Sequence, residues 1–200
     1  MPETRERWRN RLPHWEVADR AHFVTIRCAG SLPQSALPRI RAINANLSKI
    51  DPADPEFAQL QRQYFLTCEK YLDHPDSAGF APFRDPVIAD LVLADLRKFG
   101  RRDNWTVQAA TVMPNHVHFL LHTESTEPDK PLREVLRAFK GRTARQANQL
   151  LGRTGSFWQR EWFDRWMRDE REVARTTDYI RQNPVKAGLL NDTDEWHWQI

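Results

Sequence analysis

The chain has 200 residues, a formal net charge of +3 and a hydrophobic fraction of 40%. This length suffices for one domain with a buried core, and no stretch of about 18 apolar residues predicts a membrane span. The first residues lack the apolar segment of a secretory signal, so a cytoplasmic protein is expected. Cys28 and Cys68 are far apart and match no zinc-binding spacing, which predicts two free thiols.

The charged residues are unevenly distributed along the chain. Residues 1–50 carry nine basic and four acidic side chains, residues 51–100 carry five and nine, and residues 101–150 carry eight and five. Two basic stretches therefore flank an acidic one. This arrangement favours a nucleic-acid surface built from separate parts of the chain.

The first half of the chain predicts an arm, a strand, a helix and an insertion. Residues 1–13 are highly charged and are interpreted as an N-terminal arm, which either contacts phosphates or is a solvated tail. Residues 20–28 predict a strand, and residues 36–50 predict a helix from their apolar spacing. Residues 51–85 are acidic and punctuated by prolines, with a helix in the middle. We interpret them as an insertion outside the active site.

Two strands follow a helix that begins at Asp85-Pro86. They span residues 104–113 and 116–123 and are joined by a turn at Pro114-Asn115. Side chains two apart on a strand share a face, so His116 and His118 point the same way, roughly 6.6 Å apart along the strand. Two imidazoles so placed are able to bind one divalent ion. An isolated His-x-His pair is also compatible with two histidines that have no function.

Residues 131–151 predict a long amphipathic helix with one basic side. Its basic residues are Arg133, Arg137, Lys140, Arg142 and Arg145. A row of cations on one helix face is typical of phosphate binding, although a solvated helix surface has the same composition.

The segment from Phe157 to Trp166 combines aromatic and basic residues and fits a strand or a helix equally well. Trp158 and Trp162, beside Arg160 and Arg165, suit stacking on bases, with core packing as the alternative. A last helix is predicted from Asp169, which has the spacing of an N-cap, and Pro184 is expected to end or kink it. The order of elements predicts an α+β fold with a ferredoxin-like antiparallel sheet, helices on one face and a helical insertion after the first strand.

Two motifs together point to a known family. They are Pro114-Asn-His-Val-His118 and Asp178-Tyr-Ile-Arg-Gln-Asn-Pro184. In this order and spacing they resemble the REP-associated tyrosine transposases, within the superfamily of single-tyrosine HUH nucleases. The resemblance covers most of the chain and includes His14-Trp15. It implies one transposase-like nuclease domain over residues 1–200, with a central His-x-His strand and a bacterial, nucleoid-associated protein.

The resemblance also implies a chemistry. Tyr179 would attack a phosphodiester in single-stranded DNA that carries a hairpin from repetitive palindromic elements, giving a 5′-phosphotyrosine and a free 3′-hydroxyl. Mg²⁺ or Mn²⁺ would be held by His116, His118 and Asn183. Lys186 is predicted to contact phosphate, and the protein would act as a monomer or a homodimer.

Two other classes of protein fit part of this pattern. One is a hairpin-binding protein without catalysis, although the intact histidines and tyrosine disfavour it. The other is a metal-dependent hydrolase that uses water as the nucleophile. Only the transposase-like mechanism requires a covalent protein–DNA adduct.

Overall fold

The structure is a computed structural model that describes residues 3–9, 12–51, 54–73, 79–99, 104–123, 130–191 and 194–200. Within these residues it contains six strands and five α-helices. The strands are β1 (Thr4–Arg9), β2 (Pro13–Val17), β3 (His22–Arg27), β4 (Thr106–Met113), β5 (His116–His122) and β6 (Phe163–Trp166). The helices are α1 (Leu37–Leu47), α2 (Pro55–Leu72), α3 (Pro86–Leu96), α4 (Leu132–Leu150) and α5 (Glu170–Lys186).

The central sheet has the strand order β4-β5-β3-β6, and every neighbouring pair is antiparallel. In chain order the four strands of this sheet are β3, β4, β5 and β6. The first of them, β3, lies between the third and the fourth, as in a ferredoxin-like sheet. The predicted fold class is confirmed, with the His-x-His motif on the internal strand β5 and a helical region after β3, in which α2 follows α1. The ambiguous segment before residue 166 ends in the short strand β6.

Helices cover both faces of this sheet, which corrects the expectation that they lie on one face. Val117 and Phe119 of β5 face a cluster built with α3 and α4. Leu120, on the opposite face, belongs to a second cluster built with α1, α2 and α5. The insertion supplies one of the three helices on that second face, α2, and strand alternation puts His116 and His118 there as well.

Residues 4–9 form a strand where an arm was expected, whereas residues 1–2 and 10–11 of that predicted arm lie outside the described residues. β1 pairs with β2, and Trp8 stacks on His14 with ring centroids 5.0 Å apart. Arg5 forms an ion pair with Glu16 at 3.7 Å. The Arg5 side chain is therefore used in packing the hairpin of β1 and β2.

His14 anchors the hairpin in a buried polar cluster beside β6. Its Nδ1 forms a hydrogen bond with Asp164, and its Nε2 lies 3.8 Å from Oε2 of Glu161. Burial lowers the pKa of His14, but the charge and hydrogen bond of Asp164, together with Glu161, outweigh burial and raise the pKa to about 9. The buried imidazole is therefore a cation at neutral pH.

Because its folded pKa is raised, His14 should stabilise the fold fully below its unfolded pKa of about 6.5, and this stabilisation should be lost as the pH rises through 9. We expect His14→Gln to lower the free energy of unfolding by on the order of 3 kcal/mol at pH 6 and by much less at pH 10. Urea unfolding at the two pH values measures this difference. His197→Gln, at an exposed histidine, is the control and should show no such dependence. A deficit that stays constant from pH 6 to pH 10 would contradict the assignment.

The segment 196–200 lies along the outer edge of β4 and contacts α5. Ala110 and Ile200 exchange two backbone hydrogen bonds, and Trp198 accepts one from the Val112 backbone. The Gln199 side chain donates to the Arg181 carbonyl of α5 at 2.8 Å. The segment therefore links the edge of the sheet to the last helix.

Both cysteines are buried and unpaired, as predicted. Among the described helices, none has the length and apolar character needed to cross a bilayer.

Candidate active site

The two histidines of β5 converge as strand alternation predicts. Both side chains are fully buried, and their Nε2 atoms lie 2.9 Å apart. Thr25 of β3, which pairs with His118 across the sheet, contacts its Nδ1 through Oγ1 at 2.8 Å. Nδ1 of His118 is thus held by β3, and the Nε2 atoms of both histidines point into a common space.

The turn residue Asn115 fixes the tautomer of His116. Its amide nitrogen donates to the Leu72 carbonyl at 3.1 Å, so its Oδ1 faces His116 Nδ1 at 2.7 Å. An amide oxygen only accepts, so Nδ1 of His116 carries the proton and Nε2 keeps a free lone pair. Burial, and then the charge of His118, lower the pKa of His116 to about 3. A neutral imidazole with its lone pair directed inward is the form that binds a metal.

The third member of this cluster is Glu69 of α2, which corrects our interpretation of the insertion as lying outside the active site. Glu69 Oε2 lies 3.0 Å from His118 Nε2, and the carboxylate is buried. Burial raises its pKa, but the electrostatic interaction and the hydrogen bond with His118 outweigh that effect and lower the pKa, so the group is ionised. One ligand atom from each of Glu69, His116 and His118 lies within 4.8 Å of the other two.

Asp73 adds a second carboxylate one helical turn after Glu69. Its Oδ1 lies 3.8 Å from His116 Nε2. Burial, and then the negative charge of Glu69, raise the pKa of Asp73 to about 7. This carboxyl group is thus able to gain or lose a proton near neutral pH, beside the histidine pair.

Tyr179 of α5 reaches the same cluster. Its hydroxyl donates a hydrogen bond to Glu69 Oε2 and accepts one from Asn183 Nδ2 at 3.0 Å. Burial, and then the charge of Glu69, raise the pKa of Tyr179 well above its ordinary value, whereas the Asn183 bond lowers it. The side chain is half-buried, and its ring lies 5.6 Å from that of His118.

Asn183 lies one turn after Tyr179 because α5 continues through Pro184 to Lys186. Pro184 falls in the last turn, where its missing N–H costs a single helical hydrogen bond, so the helix does not end there. Asn183 is buried and contacts the tyrosine. Its Oδ1 has no hydrogen-bond partner among the described residues.

The donor set fits a divalent cation. Besides Oδ1 of Asn183, the buried atoms Oε1 of Glu69 and Oδ1 of Asp73 also lack hydrogen-bond partners within the described ranges. Leaving buried carboxylate oxygens unpaired is costly, and a cation among them would satisfy them. Two imidazole nitrogens with carboxylate and amide oxygens are a mixed set that suits several divalent metals.

The predicted DNA-binding residues separate into two groups in the structure. Four cations bind other parts of the protein: Arg133 pairs with Glu6, Lys140 donates to the Gln159 and Arg160 carbonyls, Arg142 pairs with Asp95, and Arg165 pairs with Glu172. Arg137, Arg145 and Arg160 are exposed. Lys186 is also exposed, with its ammonium nitrogen 5.3 Å from the centroid of the Tyr179 ring.

Trp158 and Trp162 are buried, which corrects the prediction that they stack on DNA bases. Trp158 packs on Phe157 and donates its ring N–H to Thr143 at 2.9 Å. Trp162 packs on His14 and lies under the ammonium of Lys140. Core packing, the alternative stated from sequence, is what the structure shows for both residues.

The main site residue that the sequence did not predict is Glu69. A signal for it was present: Tyr64, Cys68 and Leu72 mark the buried face of α2, and Glu69 lies among them by helical spacing. A carboxylate on the buried face of an amphipathic helix requires a partner. That partner was not evident before the helix was placed against β5.

Comparison with known proteins identifies the family. The family described as "Transposase IS200 like" matches residues 83–183, about half of the chain, including His116, His118, Tyr179 and Asn183. The chain belongs to this family of transposases, which are DNA-binding, DNA-processing enzymes.

Two relatives agree with the resemblance to REP-associated tyrosine transposases. A Haemophilus influenzae protein of that description is 27% identical in an alignment 97 residues long, which covers 44% of this chain and 54% of that protein. The match thus spans about half the length of this relative. A solved REP-associated tyrosine transposase bound to a REP hairpin aligns with a TM-score of 0.52 and 15% identity, covering 93% of this chain and 79% of that one. This likeness supports the fold.

A transposase structure from Deinococcus radiodurans R1 aligns over 82% of this chain and 91% of its own length. Its TM-score is 0.34 and its sequence identity is 16%.

Proposed function

We propose that the chain is a single-stranded DNA endonuclease and strand transferase of one domain, acting on hairpin-bearing DNA through Tyr179. The observation that carries the proposal is the contact chain from Tyr179 through Glu69 to His118. The hydroxyl donates to Glu69 Oε2, which lies 3.0 Å from His118 Nε2. A candidate nucleophile thus lies directly beside a candidate metal site.

Each residue has a defined part in this proposal. His116, His118 and Glu69 would hold Mg²⁺ or Mn²⁺, with Asn183 as a further oxygen ligand. The bound ion would stabilise negative charge on the scissile phosphate. The Tyr179 hydroxyl would lose its proton to water, and its oxygen would form a bond to phosphorus as the bond from phosphorus to the 3′-oxygen breaks. The 3′-oxygen would take up a proton, giving a 5′-phosphotyrosine and a 3′-hydroxyl. Asn183 Nδ2 would orient the tyrosine oxygen and stabilise its negative charge.

The position of the tyrosine favours a single strand. Tyr179 is half-buried, with its ring against Phe23 and Phe65 and its hydroxyl on Glu69. A single strand is flexible enough to lie along α5 and turn a backbone phosphate toward the recessed hydroxyl, whereas a duplex holds its backbone in a fixed helical path. Exposed Arg137, Arg145 and Arg160 would contact phosphates, since they face solvent on or near α4.

We therefore expect DNA with a hairpin and a single-stranded flank to bind more tightly than a duplex of equal length, with an affinity that decreases steeply with salt. Fluorescence anisotropy with end-labelled DNA measures both properties. The same mixtures, given Mg²⁺ or Mn²⁺ and run on a denaturing gel, report cleavage of the flank. Equal or tighter binding of the duplex would contradict the proposal. Cleavage that never forms an adduct would instead favour the water-using hydrolase.

A further inference from the structure

We propose that a cationic groove between α1 and α2 binds the backbone of a single DNA strand, as a second contact surface outside the tyrosine site. This inference rests on the proposed function in that the ligand is DNA. The groove has a volume of about 480 Å³. Its lining is Arg39 from α1 together with Gln59, Arg62, Gln63, Leu66, Thr67, Lys70 and Tyr71 from α2.

The charge of the groove points to a polyanion. Arg39, Arg62 and Lys70 are exposed and have no ion pair among the described residues, and no lining residue is acidic. The insertion as a whole is acidic, so this face departs from the composition of its own segment. Unpaired cations gathered along a concave surface attract phosphates and release counterions when they bind.

The remaining lining residues suit a single nucleic-acid strand. The amides of Gln59 and Gln63 supply hydrogen-bond donors and acceptors, and Tyr71 supplies a half-buried aromatic ring. Leu66 is 51% exposed and adds apolar surface to the lining. Grooves that bind single strands generally combine cations, which contact the nucleic-acid backbone, with apolar or aromatic surface, which contacts the bases.

The groove also ends near the tyrosine site. Lys70 and Tyr71 lie between Glu69 and Asp73 on the last turn of α2, whose inner side carries both site carboxylates. A strand held in the groove is thereby directed toward that turn. We therefore assign the groove to the single-stranded flank of the hairpin substrate.

The test compares two triple variants that remove the same charges. R39Q/R62Q/K70Q removes two arginines and one lysine from the groove, and R41Q/R97Q/K49Q removes two arginines and one lysine from exposed positions outside it. Anisotropy titrations use a hairpin with a single-stranded flank and the same hairpin without the flank, over a range of salt. Thermal melting confirms that both variants are folded.

For the flanked hairpin we expect the groove variant to bind at least roughly tenfold more weakly at low salt. Its slope of log affinity against log salt should be shallower by about 2, from roughly 0.7 for each of three phosphates on a single strand. The flankless hairpin should lose little affinity, and the control variant should retain binding of both.

Three results would overturn the assignment: an unchanged affinity and slope in the groove variant, an equal loss in the control variant, or an equal loss on the flankless hairpin. Groove-dependent binding of polyglutamate as tight as that of DNA would also overturn it and reassign the groove to an acidic protein segment. Failure of the wild-type protein to bind any hairpin DNA is a distinct outcome, which refutes the proposed function itself. The single variant Arg62→Glu, on an exposed helix face, repeats the test if the triple variant does not fold.

Discussion

Replacing Tyr179 with Phe is expected to abolish the covalent protein–DNA adduct while the protein stays folded and still binds hairpin DNA. The substitution removes one oxygen and keeps the ring, whose contacts with Phe23, Phe65 and His118 hold α5 in place. Without the hydroxyl no phosphotyrosine forms, so strand cleavage should decrease by more than roughly a thousandfold. End-labelled hairpin DNA on a denaturing protein gel measures the adduct directly.

Tyr64→Phe and Tyr71→Phe are matched controls, since the chain has three tyrosines. Tyr64 is buried, and burial is the largest of the effects that raise its pKa, while Tyr71 lines the groove of the insertion. Both variants should still form the adduct. An adduct that persists in the Tyr179→Phe protein, or a peptide mass that maps it to another tyrosine, would show that the nucleophile is assigned wrongly.

Removing a metal ligand is expected to have the second large effect. His118→Ala and Glu69→Gln should each weaken binding of Mn²⁺ by roughly 100-fold or more, since substitutions outside the direct ligands already cost 10–100-fold. Both should also abolish cleavage that a chelator inhibits in the wild-type protein. Isothermal titration with Mn²⁺ alone measures the binding without requiring activity.

Glu56→Gln is the control for Glu69→Gln, because Glu56 is exposed at the start of the same helix. It should bind Mn²⁺ as the wild-type protein does. Retained Mn²⁺ affinity in Glu69→Gln with loss in His118→Ala would remove the insertion from the metal site and leave Asn183 as the third ligand. Retained affinity in both variants would refute a metal site at β5.

Local periodicity was sufficient to predict the parts of the site that lie close together in the chain. His116 and His118 share a strand face, and Tyr179 and Asn183 share a helix face, so two-residue and four-residue spacings determine their geometry. Family resemblance added the expectation that the two pairs meet. The structure places them around one cluster, and their chemical roles stay predictions.

Glu69 was missed because its role depends on packing between distant segments. The insertion carries an excess of acidic residues, which is typical of a solvated segment, and the helical spacing that puts Glu69 on the buried face of α2 does not show which partner it meets. For a related reason, the local sequence could not show whether the aromatic and basic residues near α4 contact DNA or pack within the protein. Trp158 and Trp162 fit stacking or core packing equally well, and Arg133 and Arg142 found carboxylate partners on β1 and α3.

The segment along β4 has a consequence for how copies of this protein can associate. A sheet continues into a second molecule only where an outer strand presents unused backbone N–H and C=O groups. Over Ala110–Val112 those groups are bonded to residues 198–200 of the same chain. A partner joining the sheet there would have to displace this segment, and with it the bond from Gln199 to α5 that helps to hold the tyrosine helix. Strand-to-strand dimerisation at this edge would therefore also release a contact of the tyrosine helix.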